Sequence, residues 1–123
     1  MKIIEALNII DGLKPNTYTQ SQKVRWLSEL DQHIKNEIID SHENAAAGDF
    51  NGYNDDTPLE TEMIVPSPYD EMYITYLSMK IDYHNAEFSQ YNNNASLYNS
   101  QLSNFANYYN RRNMPLTQKL KFF

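Results

Sequence analysis

Between Ser67 and Asn110 apolar residues recur at alternating intervals of three and four. Every seventh residue from Ile74 gives Ile74, Ile81, Phe88, Ala95, Leu102 and Tyr109, and the set three residues on gives Leu77, His84, Tyr91, Tyr98 and Phe105. Only His84 is neither aliphatic nor carbocyclic aromatic. Such spacing is a helical seam that seeks a partner. A second face, Tyr69, Met72, Tyr73, Tyr76, Met79 and Tyr83, widens the apolar cover of the first half. A helix so broadly apolar is expected between neighbours, not on a surface.

Two arrangements fit this stretch. One is a continuous rod over 68–111, about 65 Å long at 1.5 Å per residue. The other breaks at Asn92-Asn93-Asn94, because asparagine side chains compete for backbone hydrogen bonds. The kink or break is the arrangement taken here, with helices over about 68–91 and 94–111. Ser67 reads as the cap of the first, Pro68 as its first residue, and Asp70 and Glu71 favour the positive end of the dipole. Arg111 and Arg112 suit the last turn, and Met114-Pro115 ends it.

Two helices precede the seam. Ile3, Leu7, Ile10 and Leu13 mark one over about 2–12, with Gly12 as its stop and Lys14-Pro15-Asn16 as a break. The second spans about 20–41, capped by Thr19 or Ser21. Val24, Leu27, Leu30, Ile34 and Ile38 form its stripe, Trp26 and Ile39 widen it, and Glu29, Asp31, Lys35 and Glu37 take the wet side. Trp26 reads as a core or rim anchor.

The period vanishes over 44–66, a long loop for a compact domain. Phe50, Tyr53, Leu59 and Met63-Ile64-Val65 argue for partial order, with partners expected on another subunit. Leu120, Phe122 and Phe123 make the tail over 114–123 a docking segment, in cis or in trans. The expected fold is all-α, a single domain over 1–123: a small bundle of about four helices with a long central loop and an extended C-terminal tail.

Composition narrows the function. The 123 residues include no cysteine, which removes disulfides and thiolate metal sites and fits a reducing compartment. No apolar run approaches the ~20 residues of a membrane span, and Glu5 interrupts what a secretion signal would need as its apolar core. Residues 1–87 hold six Lys or Arg and all sixteen acids, nine of them within 40–71. Residues 88–123 hold four Lys or Arg and no acid. The acidic bulk repels nucleic-acid phosphates. Eight of the ten tyrosines lie between 69 and 109, and tyrosine is enriched at interfaces. The expected subunit or partner interface is Tyr69, Tyr73, Tyr76, Tyr98, Phe105, Tyr109, Leu120, Phe122 and Phe123.

Signals for chemistry are weak, and no enzyme, cofactor or metal site is expected. His33 and Glu37 lie one helical turn apart with His42-Glu43 beyond, but a metal needs three or four converging ligands. Asp55-Asp56 with Asn51, Gly52 and Asn54 shares only the composition of a calcium loop. Three glycines make no phosphate cradle, and there is no nucleophile elbow. Asn94-Ala95-Ser96 matches a glycosylation acceptor on a helix. His84 reads as a satisfied core or interface histidine.

Five segments together carry a resemblance: Lys14-Pro-Asn-Thr-Tyr, Arg25-Trp-Leu-Ser-Glu-Leu-Asp, Val65-Pro-Ser-Pro-Tyr-Asp-Glu-Met-Tyr, Lys80-Ile-Asp-Tyr and Phe105-Ala-Asn-Tyr-Tyr-Asn-Arg. The chain resembles the head–tail connector, adaptor or head-completion proteins of tailed bacteriophages of Firmicutes. That resemblance implies a helical bundle in the virion at the head–tail interface, assembled in the host cytoplasm. It implies a homo-oligomeric ring, dodecameric in expectation, that meets the portal protein on one side and a tail or stopper protein on the other. Double-stranded DNA would pass close to the lumen without specific contact, and no membrane is involved. An acidic lumen would let DNA slide. The alternative is a small phage- or prophage-encoded binding or regulatory module that acts as a dimer.

Overall fold

The computed structural model describes residues 1–39 and 50–112. Four α-helices build the bundle: α1 (Ile3–Leu13), α2 (Gln20–Ile34), α3 (Glu71–His84) and α4 (Phe88–Arg112), with a π-helical turn over Lys35–Ile39 continuing α2. The all-α expectation holds, and the tail over 114–123 and residues 44–49 of the expected loop lie outside the described residues.

Helix α1 buries Ile3, Ala6, Leu7 and Ile10. Gly12 does not stop it; the helix runs on to Leu13, and the Lys14 amide closes it onto the Ile10 carbonyl at 2.8 Å. Its first turn is capped from far along the chain. The amides of Ile3 and Ile4 donate to the carbonyls of Thr61 and Leu59 at 3.0 and 2.9 Å, and Met63 donates back to the Met1 carbonyl. Amides that a helix start leaves without partners are thereby satisfied. The 50–66 segment thus finds its partners within its own chain, contrary to the expectation of another subunit. Gly52 has φ +84, and a Cβ there would stand 2.1 Å from Ser28 Oγ. That oxygen accepts from the Tyr53 amide at 2.8 Å, so the segment lies directly on α2.

Thr19 caps α2, accepting from the Gln22 amide at 3.1 Å. The 14–19 link is fastened by Lys23, a buried lysine whose Nζ donates to Asp11 at 2.6 Å and Asn16 at 3.3 Å.

Helix α3 occupies the centre and buries Met72, Tyr73, Ile74, Thr75, Leu77, Ile81 and Asp82. It begins at Glu71, not at Pro68. Residues 67–70 form a turn in which Tyr69 donates to the Pro66 carbonyl at 2.9 Å.

The break between the last two helices falls at Asn85-Ala86-Glu87, not at Asn92–Asn94. Ala86 takes a left-handed φ of 60, while the amides of Asn85, Ala86 and Glu87 close onto Ile81, Tyr83 and Asp82. Helix α4 then folds back along α3 and runs through the asparagine triplet unbroken. The expected helices over 68–91 and 94–111 are therefore replaced by α3 and α4. Asn94 is held by a tertiary contact: its Nδ2 donates to buried Asp82 at 2.7 Å. Most of the seam's partner is the other half of the seam.

Candidate interaction surfaces

The residues expected at an interface separate into three groups. Tyr73 and Phe105 are fully buried in the core of one copy, so neither offers a surface. Tyr69, Tyr76, Tyr98 and Tyr109 are half-buried and pack within the chain. Tyr76 meets Tyr98 at a ring separation of 5.3 Å, and Tyr69 and Tyr109 both lie about one ring from Phe105, at 6.1 Å. Leu120, Phe122 and Phe123 lie outside the described residues. The tyrosine surplus mostly closes the gap between α3 and α4.

Two buried carboxylates were missed in the sequence. Asp31, expected on the wet side of α2, is fully buried. It accepts from Tyr73 Oη at 2.6 Å, Tyr53 Oη at 2.5 Å and the Ile64 amide at 3.2 Å, while Tyr73 Oη accepts from the Val65 amide at 2.8 Å. One carboxylate thus ties α2, α3 and the 50–66 segment together. Burial pushes the Asp31 carboxyl above its ordinary value, and the two phenols and the amide draw it back in part. Burial and the neighbouring carboxylate push the phenols of Tyr53 and Tyr73 up. A signal was present: Asp31 lies four residues after Leu27 and three before Ile34, on the same stripe.

Asp82 is the second, also fully buried. Lys14 Nζ pairs with one oxygen and Asn94 with the other, and Lys14 also reaches Gln90 Oε1 at 3.2 Å. Asp82, near the end of α3, thereby ties the end of α1 and the first turns of α4 to α3. Neither carboxylate lines an opening that a substrate could enter. Their satisfied bonds are structural, as buried charges require.

The end of the bundle where α1 stops and α3 turns into α4 is different. Leu13, Tyr83 and Phe88 are 70%, 54% and 58% exposed there. Tyr83 and Tyr91 meet at a tilt, with ring centres 5.6 Å apart. Beside them Trp26, buried as expected of an anchor, lies flat against exposed His84 at 5.5 Å, and Tyr18 meets Trp26 edge-on. Tyr18 Oη donates to Asn85 at 2.6 Å. A shallow pocket of about 140 Å³ opens between Tyr18, Gln22, Trp26 and His84. His84 is thus a rim residue, not a core one.

No family profile, curated protein or solved structure matches this chain.

Among the described residues no group of three His, Asp or Glu could hold a metal ion. His33 and Glu37 are both exposed, and His42 lies outside the described residues. No described helix is long and apolar enough to cross a membrane. Asp55, Asp56, Glu60 and Glu62 stand on the surface of the 50–66 segment, where Glu60 pairs with Lys2 at 3.1 Å.

Proposed function

We propose that the protein works by assembly, as a small helical adaptor of the head–tail connector kind. It would form a ring that joins a portal to a tail component and extends the DNA channel. The observation that carries this reading is the exposed end formed by Leu13, Tyr83 and Phe88. Large apolar side chains left together in water mark a docking surface more often than a free one. The sequence resemblance to phage connectors supplies the identity of the partner, and the all-α bundle agrees with it. In this reading the exposed acids of the 50–66 segment face the DNA, which they repel, so that it passes without sticking.

The test is a pull-down of the full chain with a portal protein of a tailed phage of Firmicutes, using Phe88→Asp. Phe88 is exposed, so the variant is expected to keep its helical circular dichroism and melting temperature. Portal binding is expected to fall by at least about tenfold, as for an interface anchor. Unchanged binding in the folded variant counts against the reading. A small dimeric binding module is the second reading, and the uncharged outer face of α4 favours it.

A further inference from the structure

Where the start of α3 meets α4, a groove opens. Pro68 and Tyr69 form one wall, Glu71 stands at its edge, and Gln101 and Asn104 of α4 line the other side, around a volume of about 210 Å³. Two groups in it lack partners. Gln101 Oε1 is buried with no hydrogen-bond donor. The exposed carboxylate of Glu71 makes no ion pair among the described residues. A buried acceptor without a donor is costly. The groove therefore suits an occupant that is apolar, donates a hydrogen bond and carries positive charge.

One stripe of α4 leads from this groove to the end of the helix. Gln101, Asn104, Tyr108 and Arg112 follow one another at intervals of three, four and four, so they share a side. The Tyr69 ring meets Tyr108 at 4.7 Å, and the Arg112 guanidinium lies over the Tyr108 ring at 5.6 Å. Residues 113–123, outside the described residues, follow directly. They hold Leu116, Leu120, Phe122 and Phe123, two lysines and no acid. Asn104 lies eight residues before Arg112, about 12 Å back along the helix. An extended chain covers about 3.3 Å per residue, so four residues return to it, and Leu120, the eighth, has length left for the turn. Pro115 disfavours helix at Met114, where that turn is needed. The other stretch outside the described residues, 40–49, is a poor match: it holds three acids, which Glu71 would repel, and no aliphatic side chain larger than alanine.

We propose that the tail over 113–123 folds back on its own chain and docks in this groove, with Leu120 between Tyr69 and Asn104 and with Lys119 and Lys121 flanking Glu71. A tail amide is then the donor that Gln101 Oε1 lacks. The short reach favours docking in cis, because a tethered partner is present at a roughly millimolar effective concentration. The contact does not depend on the connector reading, which rests on the opposite end of α4, and its test involves no portal protein.

The chain has no cysteine, so introduced pairs report proximity directly. Asn104→Cys/Gln118→Cys and Ser103→Cys/Gln118→Cys put one thiol at nearly the same height on α4 but on different sides of the helix. Under mild oxidation of the full chain, the Asn104 pair is expected to close at least about tenfold faster, as a monomer whose yield does not change with protein concentration. Adding Leu120→Asp to that pair is expected to slow closure at least about tenfold, because it puts a charge where the groove takes an apolar group. Lys119→Glu/Lys121→Glu is expected to slow it several-fold, and Glu71→Lys to restore the rate in that background. Positions 71, 103 and 104 are exposed and the other changes lie in the tail, so helical circular dichroism is expected to hold throughout. Equal closure of the two pairs overturns the proposal, as does a Leu120→Asp variant that closes at the original rate. Disulfide-linked dimers whose share grows with concentration overturn docking in cis and assign the tail to a second copy. Failure of Glu71→Lys to restore the rate overturns the charge pairing.

Discussion

Helices α3 and α4 carry one uninterrupted hydrophobic pattern, yet they end in opposite circumstances. Helix α3 buries seven of its 14 residues, and α4 buries one of 25. The cause is position, not pattern. Helix α3 lies against α1, α2 and α4, while among the described helices α4 meets only α3 and the π-helical turn. A seam guarantees that some face will be covered; the number of neighbours decides how many faces are. The difference also tells the two kinds of residue apart. Tyr73 on α3 spends its hydroxyl on a buried carboxylate, whereas Phe88 at the start of α4 stands in solvent.

This contrast can be broken most sharply at matched leucines. Leu77→Ala on α3 is expected to cost about 4 kcal/mol, since it opens a cavity at a fully buried site. Leu97→Ala on α4, half exposed, is expected to change stability by less than about 0.5 kcal/mol. Urea unfolding of both variants reads the difference, and equal costs would mean that α4 is as deeply packed as α3. Next in size is the ion pair that ties the end of α1 to α3. Lys14→Met leaves the Asp82 carboxylate buried with Asn94 as its remaining side-chain partner, at an expected cost of about 3 kcal/mol. Lys14→Met/Asp82→Leu is expected to recover most of that loss, and a double variant as unstable as the single would show that Asp82 holds more than its charge partner.

The smallest effect is expected in alkali. Burial pushes the Tyr98 phenol on α4 up to about 12, above its ordinary value near 10. The folded state therefore holds that proton longer than the unfolded chain does. The stability linked to it is complete below about pH 10 and is lost as pH rises towards 12. Tyr98→Phe is expected to flatten the fall in denaturant midpoint between those values. Tyr73→Phe would flatten it too, but only after losing the Asp31 bond. An unchanged slope in Tyr98→Phe would mean that α4 leaves this phenol in water.

Much of the architecture was legible. The stripes of α1 and α2, the Thr19 cap and the burial of Trp26 follow from spacing and residue type alone. Which aromatic residues stay exposed was legible only in part, because tyrosine serves a core and a docking face equally well. Tyr73 and Phe105 went inside, and Tyr83 and Phe88, of the same character and on the same helical pattern, stayed out. Asp31 and Asp82 were hidden for a related reason: a carboxylate reads as wet unless its partners are known, and those partners come from segments distant in sequence.

The chain by itself settled that helices form, which faces are apolar, and that charge is crowded into the first two-thirds. Local propensity and periodicity act over a few residues, so they can be read there. What the three-dimensional fold decided was where the long seam turns. Asn92–Asn94 is the weakest local helix, but Asn94 gains a bond to Asp82 and the triplet stays helical. The turn falls instead at Ala86, where a left-handed residue lets α4 return along α3 and the two halves of the seam cover each other. Long-range burial outweighed local preference, and only the coordinates of both partners could say where.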